Sequence, residues 1–248
     1  MPDATVTPRI GAIIAAGGTG SRFGRPEGKQ LAEIVGKPVV AWSIEAVAAA
    51  TGVETIVVVC HPKRVAEFRD RAVCALETSV PVEVVSGGGT RQASVAAGIA
   101  SMPEGCEVIV VHDGARPLTT TALIDRAVRS LLEDPEAEGV VVGHPSVDTL
   151  KCVDDRGRVL STPDRTLFWA VQTPQVFRAA ALRQAYSTAA IDAYVGTDDA
   201  SLVERIGGRV LVIEGPRDNI KVTRAEDLLI AEAVLAARLR TPAQKGGT

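Results

Sequence analysis

A chain of 248 residues has room for one large α/β domain or two small ones. With 46% hydrophobic but only 3% aromatic residues, the core has to be built from Val, Ile, Leu and Ala, and branched aliphatics favour parallel strands buried on both faces. A formal net charge of −3 excludes a global basic field for nucleic acid, so any phosphate-rich ligand must be held by cations gathered locally.

No apolar run approaches membrane-spanning length and the first residues carry no signal-peptide pattern, so a cytoplasmic protein without a membrane partner is expected. Cys60, Cys74, Cys106 and Cys152 lie far apart without CxxC spacing. That fits reduced thiols better than disulfides or zinc.

In chain order, Ile10–Ala16 reads as a buried strand, after which side chains almost vanish: Gly17, Gly18 and Gly20 fall within four positions. Glycines let a backbone turn successive N–H groups toward one point, a nest for anions. Arg22 and Lys29 add full positive charges just beyond it. Val39–Ala50 reads as an Ala-rich helix and Thr55–Cys60 as a second strand, and Pro62 opens a helix over Lys63–Glu77. A third strand, Pro81–Val85, runs into Gly87-Gly88-Gly89, where a helix over Thr90–Ala100 begins. Glu107–Val111 is a fourth strand, ending in His112-Asp113-Gly114-Ala115-Arg116-Pro117. With a helix over Thr121–Glu133 and a fifth strand over Gly139–Val142, the order is βαβαβαβαβ. Right-handed crossovers turn that order into an open, doubly wound, mostly parallel α/β sheet.

The alternation breaks between Asp148 and Phe177, where two short strand-like pieces flank the hairpin signal Asp154-Asp155-Arg156-Gly157. Residues 146–176 are read as an arm that leaves the sheet and returns at Gln172-Thr173-Pro174-Gln175. A lone two-stranded ribbon is marginal in water, so a homodimer in which the arm leans on a second copy is expected. Beyond it, Arg178–Ala190 and Asp198–Ile206 read as helices and Arg209–Glu214 as a strand. Thr223 and Glu226 form a T-x-x-E capping box for a last helix through Leu239. Without repeats or a linker, residues 1–248 are read as one domain carrying an arm.

Ligands of open parallel sheets sit beyond the carboxyl ends of the strands. Gly17–Gly20, Gly87-Gly88-Gly89, Asp113-Gly114 and Pro216–Lys221 would converge there. One such loop is what any strand end looks like, because turns need glycine and charge; four together point to a polyphosphate. Two familiar phosphate loops fail. A dinucleotide fingerprint would need glycine where Phe23 stands, and an acid where Cys60-His61-Pro62 closes the second strand. A Walker A loop needs four residues between its glycine and Gly-Lys, whereas Gly24 and Gly28-Lys29 enclose only three and Gln30 replaces Ser/Thr.

Ala15-Ala16-Gly17-Gly18-x-Gly20-Ser21-Arg22-x-Gly24 with Lys29-Gln30 resembles the loop of nucleotidyltransferases that act on sugar and polyol phosphates. It is joined by Gly87-Gly88-Gly89-Thr90-Arg91-Gln92-x-Ser94-Val95, His112-Asp113-x-Ala115-Arg116-Pro117 and Thr173-Pro174-Gln175. Thr197-Asp198-Asp199 and Asn219-Ile220-Lys221-Val222-Thr223 complete the set. Together they resemble the 2-C-methyl-D-erythritol 4-phosphate cytidylyltransferase family of the non-mevalonate isoprenoid pathway, over almost the whole chain. The resemblance implies a Rossmann-like nucleotidyltransferase fold with a protruding β-arm. It implies transfer of CMP from CTP to methylerythritol phosphate, with magnesium, release of pyrophosphate, and a homodimer with shared sites. A phosphate monoester has its second pKa at about 6, so the attacking oxygen is already ionised and no general base is required.

By that resemblance Arg22 and Lys29 stabilise the triphosphate, while Lys221 and Arg165 hold the acceptor phosphate, Arg165 from the neighbouring subunit. Asp113 is implied as a ribose contact and magnesium ligand; the plainer alternative is a helix cap or a salt bridge to Arg116. Asp218 carries the same ambiguity, and His112 reads as structural. Ala15, Ala16 and Gly88 leave room for a pyrimidine, with the Ser94 hydroxyl at a helix start. Gly17, Gly18, Arg91, Gly114, Arg116, Thr173 and Thr197 are the remaining implied substrate contacts. Gly89 stands where some family members carry an acid, and Gly114 where alanine is common. Two other readings stay open: a ribitol-5-phosphate cytidylyltransferase, and a non-catalytic nucleotide-binding regulator on the same scaffold. The regulator would be expected to lack Arg22, Lys29 or Lys221, and all three are present.

Overall fold

The computed structural model describes residues 8–18, 23, 28–74 and 76–240. Its first half runs β1 (Ile10–Ala16), α1 (Gly28–Leu31), β2 (Glu33–Ile34), β3 (Lys37–Pro38), α2 (Val39–Ala48), β4 (Val53–Cys60), α3 (Val65–Phe68), β5 (Val82–Ser86), α4 (Arg91–Ser101) and β6 (Val108–Asp113). The second half runs α5 (Thr121–Glu133), β7 (Gly139–Pro145), β8 (Cys152–Val153), β9 (Val159–Ser161), β10 (Trp169–Arg178), α6 (Ala179–Ile191), α7 (Asp199–Arg205), β11 (Val210–Glu214) and α8 (Ala225–Arg240). Seven strands form one sheet in the order β11-β7-β10-β6-β1-β4-β5.

Strand β1 is central because it is apolar on both faces. It pairs in parallel with β4 and with β6, Ile14 lying opposite Val58 and His112. Side chains alternate across the sheet. Ile14, Val58 and Val110 therefore face Ile44 of α2 and Ile124 of α5. Ile13, Val57 and Ile109 face Val95 of α4, Leu182 of α6 and Val203 of α7. Ile13 and Ile14 are both fully buried, and truncating either to Ala would cost about 2–5 kcal/mol. A third cluster seats α8, through Leu228 and Leu235, on Phe23, Leu118 and Val222.

Three readings are corrected. The return of the arm is a full strand: β10 lies between β6 and β7, antiparallel to both, with Gln172 to Phe177 buried. A polar strand is tolerated there because its amides are paired, as described below. The helix expected over Lys63–Glu77 is broken into a 3₁₀ turn (Pro62–Arg64), α3 and a π-turn (Arg69–Val73). At the π-turn the Arg71 guanidinium bonds the Leu31 carbonyl, at 3.1 Å. Farther on, the Thr78 hydroxyl accepts the Val80 N–H, a local turn that competes with helix. Finally, the carboxylate that caps α8 is Asp227, not Glu226: its Oδ2 accepts from the N–H groups of Thr223 and Arg224 and from the Thr223 hydroxyl.

The hairpin stands as expected: β8 and β9 pair antiparallel around Gly157, whose φ of 76° suits glycine. All four cysteines are free thiols. No helix among the described residues is long and apolar enough to cross a membrane.

Candidate active site

Four strand-end segments meet beyond the carboxyl edge of the sheet around a cleft of about 280 Å³. Its walls are Ala15, Gly17 and Gly18 after β1, Gly88 to Arg91 and Ser94 at the start of α4, Asp113 and Ala115 after β6, and Lys221 before α8; Lys29 and Gln30 of α1 close one side. The close approach depends on glycine. A Cβ on Gly17 would lie 2.8 Å from the Ser94 hydroxyl and one on Gly87 2.6 Å from it, so that hydroxyl is wedged between the two bare loops. Helix α4 is capped by Thr90, which accepts the Ala93 N–H at 3.0 Å, and so points its N-terminal turn at the cleft. On the opposite wall, the Gln30 amide donates to the Gly18 carbonyl at 3.1 Å, tying α1 to the first loop.

A second cleft of about 370 Å³ adjoins the first and shares Arg91, Asp113 and Lys221 with it. Its other walls include Arg116, Trp169, Gln172, Thr173, Thr197 and Asp198. Asp113 stands at the junction. Its Oδ1 accepts from Arg91 Nε at 3.1 Å and its Oδ2 from Lys221 Nζ at 2.7 Å, while Arg116 Nε lies 3.7 Å away. Burial alone would raise the Asp113 carboxyl, but Arg91 and then Lys221 outweigh it and hold it well below the usual carboxylate range. It is an anion at any working pH.

The floor of the second cleft is a buried polar network. The Asp113 N–H donates to the Thr173 hydroxyl at 3.0 Å, and that hydroxyl lies 3.0 Å from His112 Nδ1. His112 Nε2 faces the Arg116 carbonyl at 3.3 Å. A carbonyl only accepts, so Nε2 carries the proton and Nδ1 accepts from Thr173. Burial accordingly pushes the imidazole down to about 4, leaving it neutral. Asn219 bonds Gln172 and the Thr173 carbonyl, and Arg116 Nη1 bonds the Asn219 carbonyl at 2.7 Å. Gln175 bonds Asp198 and the Ala200 N–H. These contacts satisfy the polar side chains of β10.

Of the residues singled out in the sequence, Ala15, Gly17, Gly18, Lys29, Gly88, Arg91, Ser94, Asp113 and Lys221 line the first cleft, and Arg116, Thr173 and Thr197 the second. Ala16 and Gly114 are packed behind the walls: a Cβ on Gly114 would come within 2.9 Å of Val40. Asp218 lines neither cleft and pairs with Arg238 at 2.8 Å. Arg165 is exposed on the arm and donates to the Val147 carbonyl of its own chain. Arg22 lies outside the described residues. Gln30, Gln172 and Asp198 were not named as site residues, although Gln30 stands beside Lys29 in the first motif and Asp198 in Thr197-Asp198-Asp199; Gln172 falls where the arm is read as returning to the sheet.

The comparisons with known proteins point one way. The profile of the 2-C-methyl-D-erythritol 4-phosphate cytidylyltransferase family matches residues 10–237. The protein of that name from Parasynechococcus marenigrum is 41% identical over 228 residues, covering 91% of this chain and 97% of the relative. Its counterpart from Caldanaerobacter subterraneus is 38% identical over 226 residues, covering 91% and 98%. Among solved structures, the 4-diphosphocytidyl-2C-methyl-D-erythritol synthase of Anaerococcus prevotii superposes with a TM-score of 0.80 at 27% identity, covering 92% of this chain and 99% of the other.

Proposed function

This chain belongs to the 2-C-methyl-D-erythritol 4-phosphate cytidylyltransferase family, and from that premise we propose that its first cleft takes CTP and the second the acceptor phosphate. The enzyme is a nucleotidyltransferase of isoprenoid biosynthesis that transfers CMP from CTP to methylerythritol phosphate. The observation that carries the division of the site is the junction: Arg91, Asp113 and Lys221 belong to both clefts, so two phosphoryl groups bound on either side meet there.

In the reaction an ionised oxygen of the acceptor phosphate attacks the α-phosphorus of CTP. The bond from that phosphorus to the β-phosphate oxygen breaks, and pyrophosphate leaves with the electron pair. No proton has to move, so the chain's work is positioning and charge stabilisation. Lys29 lines the cleft that takes the triphosphate and the departing pyrophosphate, and the family resemblance gives Arg22 the same role; Lys221 holds the acceptor phosphate in line, with Thr173 and Thr197 lining the same cleft. Gly88 and the Ser94 hydroxyl border the space for cytosine beside Ala15.

Among the described residues no three His, Cys, Asp or Glu side chains gather to cage a metal. Mg²⁺ is commonly held by one or two carboxylates, phosphate oxygens and water. Asp113 is the carboxylate at the junction, and with Arg91 on its Oδ1 and Lys221 on its Oδ2 it would join a magnesium ion arriving on the triphosphate only through the lone pairs those two cations leave. When bound, the ion would neutralise phosphate charge.

The arm supports a homodimer. Leu160 and Leu167 are 68% and 79% exposed, and Val153, Val159, Phe168 and Val171 are exposed with them. So much apolar surface on one protrusion fits burial against a second copy, and the family resemblance implies that Arg165 then serves the partner's acceptor cleft. A cytoplasmic location suits four free thiols.

Pyrophosphate release tests the reading. CTP with methylerythritol phosphate should turn over, while UTP, or ribitol 5-phosphate in place of the acceptor, should be at least about tenfold poorer. Equal turnover with ribitol 5-phosphate would reject the acceptor assignment.

A further inference from the structure

Arg91 pairs with two carboxylates, and only one of them lines the clefts. Its Nη1 and Nη2 bond the two oxygens of Asp199 at 3.0 and 2.8 Å, in the two-pronged geometry that suits guanidinium and carboxylate. Its Nε is left for Asp113. Asp199 is completely buried at the start of α7 and lines neither cleft. Its Oδ1 also accepts from the Tyr186 hydroxyl of α6, at 2.6 Å. A line of contacts thus runs Tyr186–Asp199–Arg91–Asp113–Lys221, across α6, α7, α4, the end of β6 and the segment before α8.

We propose that Asp199, oriented by Tyr186, is a positioning residue for CMP transfer, holding the two terminal nitrogens of Arg91 away from the phosphates so that only Nε meets Asp113. Asp113 then keeps one oxygen for Arg91 and the other for Lys221. Without the Asp199 carboxylate, the planar fork of Arg91 is free to take both oxygens of Asp113 and displace Lys221, or to swing into the cleft and hold a phosphate out of line. Either change disturbs alignment at the junction, while Ala15, Gly88 and Ser94, which border the space for cytosine, stay in place. Burial acts against both the Arg91 charge and the Tyr186 phenolate. The neighbouring carboxylates outweigh it at Arg91 and raise its pKa, whereas Asp199 adds to burial at Tyr186, keeping that hydroxyl a donor. The inference rests on the cleft being the place of transfer.

The test is steady-state pyrophosphate release by the intact protein, with CTP and methylerythritol phosphate each varied. Asp199→Asn should lower kcat about tenfold or more while the KM for CTP changes less than about twofold, and Tyr186→Phe should lower kcat about threefold in the same pattern. In an Arg91→Lys background, which has no fork to restrain, Asp199→Asn should cost less than a further twofold or so, and Tyr186→Phe nothing measurable. Losses that multiply independently across this cycle, an unchanged kcat in the single variants, or a raised KM for CTP that follows a falling thermal midpoint would overturn the proposal. If Asp199→Asn does not fold, Tyr186→Phe with and without Arg91→Lys decides. Lys29→Ala runs alongside: retained turnover there rejects the cleft itself, whereas lost turnover with an additive cycle rejects only the role of Asp199.

Discussion

The cleft rim and the arm are opposite solutions to carrying exposed function on a stable sheet. At the rim, the charged groups at the junction find counter-charges within their own chain: Arg91 has Asp113 and Asp199, and Asp113 has Lys221. The arm pairs its charges locally, Arg158 with Asp154 at 2.7 Å, but not its apolar surface: its hairpin pairs Cys152 with Ser161 and Val153 with Val159, and its larger apolar side chains face outward. A site that must hold two anions side by side is arranged before they arrive, because reorganising charges during the reaction would add to the barrier. On the proposed dimer, an arm completed by a second copy would carry its apolar surface outward until the copy arrives.

The sharpest way to break this contrast is at the rim. Lys221→Ala removes the cation shared by both clefts and should reduce kcat/KM by about 10²–10³-fold, with the thermal midpoint little changed because the residue is partly exposed; the paired assay and melt check it. At the arm, Leu160→Asp combined with Leu167→Asp should give a monomer in sedimentation equilibrium, with turnover down about tenfold or more if Arg165 serves the neighbouring site. Mixing Arg165→Ala with Lys29→Ala subunits should then recover roughly a quarter of wild-type turnover, since half of randomly formed dimers are mixed and each holds one intact site. Absence of recovery would leave each site to its own chain.

A smaller effect lies in the rim's floor. His112 is neutral in the fold, with a pKa near 4 against 6.5 for the free group. Because the unfolded chain binds the extra proton first, stability is lost as pH falls from 6.5 toward 4, by about 3 kcal/mol at most. Thermal midpoints of the metal-free protein across that window should fall, and His112→Asn should flatten the slope. The smallest expected change is Gly89→Ala. A Cβ there meets nothing within 4 Å, so stability should stay within about 0.5 kcal/mol in a denaturant titration.

How far the sequence could be read follows from how local each signal is. Strand β1 and helix α5 carry their pattern in consecutive residues and fall where expected. Strand β10 reads as the arm's return because the alternation of strands and helices breaks between Asp148 and Phe177, and only the distant partners Asn219, Asp198 and Ala200 make it a core strand. The cleft was legible because glycine loops and cations announce themselves in short motifs. The support of Arg91 was not: Asp199 lies 108 residues away from it in sequence, and no periodicity links the two.

Single-turnover CMP transfer by Lys29→Ala, with CTP and acceptor both saturating and the melt unchanged, tests most directly whether gathered cations let two phosphoryl groups meet. A rate about a hundredfold or more below wild type is the predicted result; a rate near wild type would contradict it.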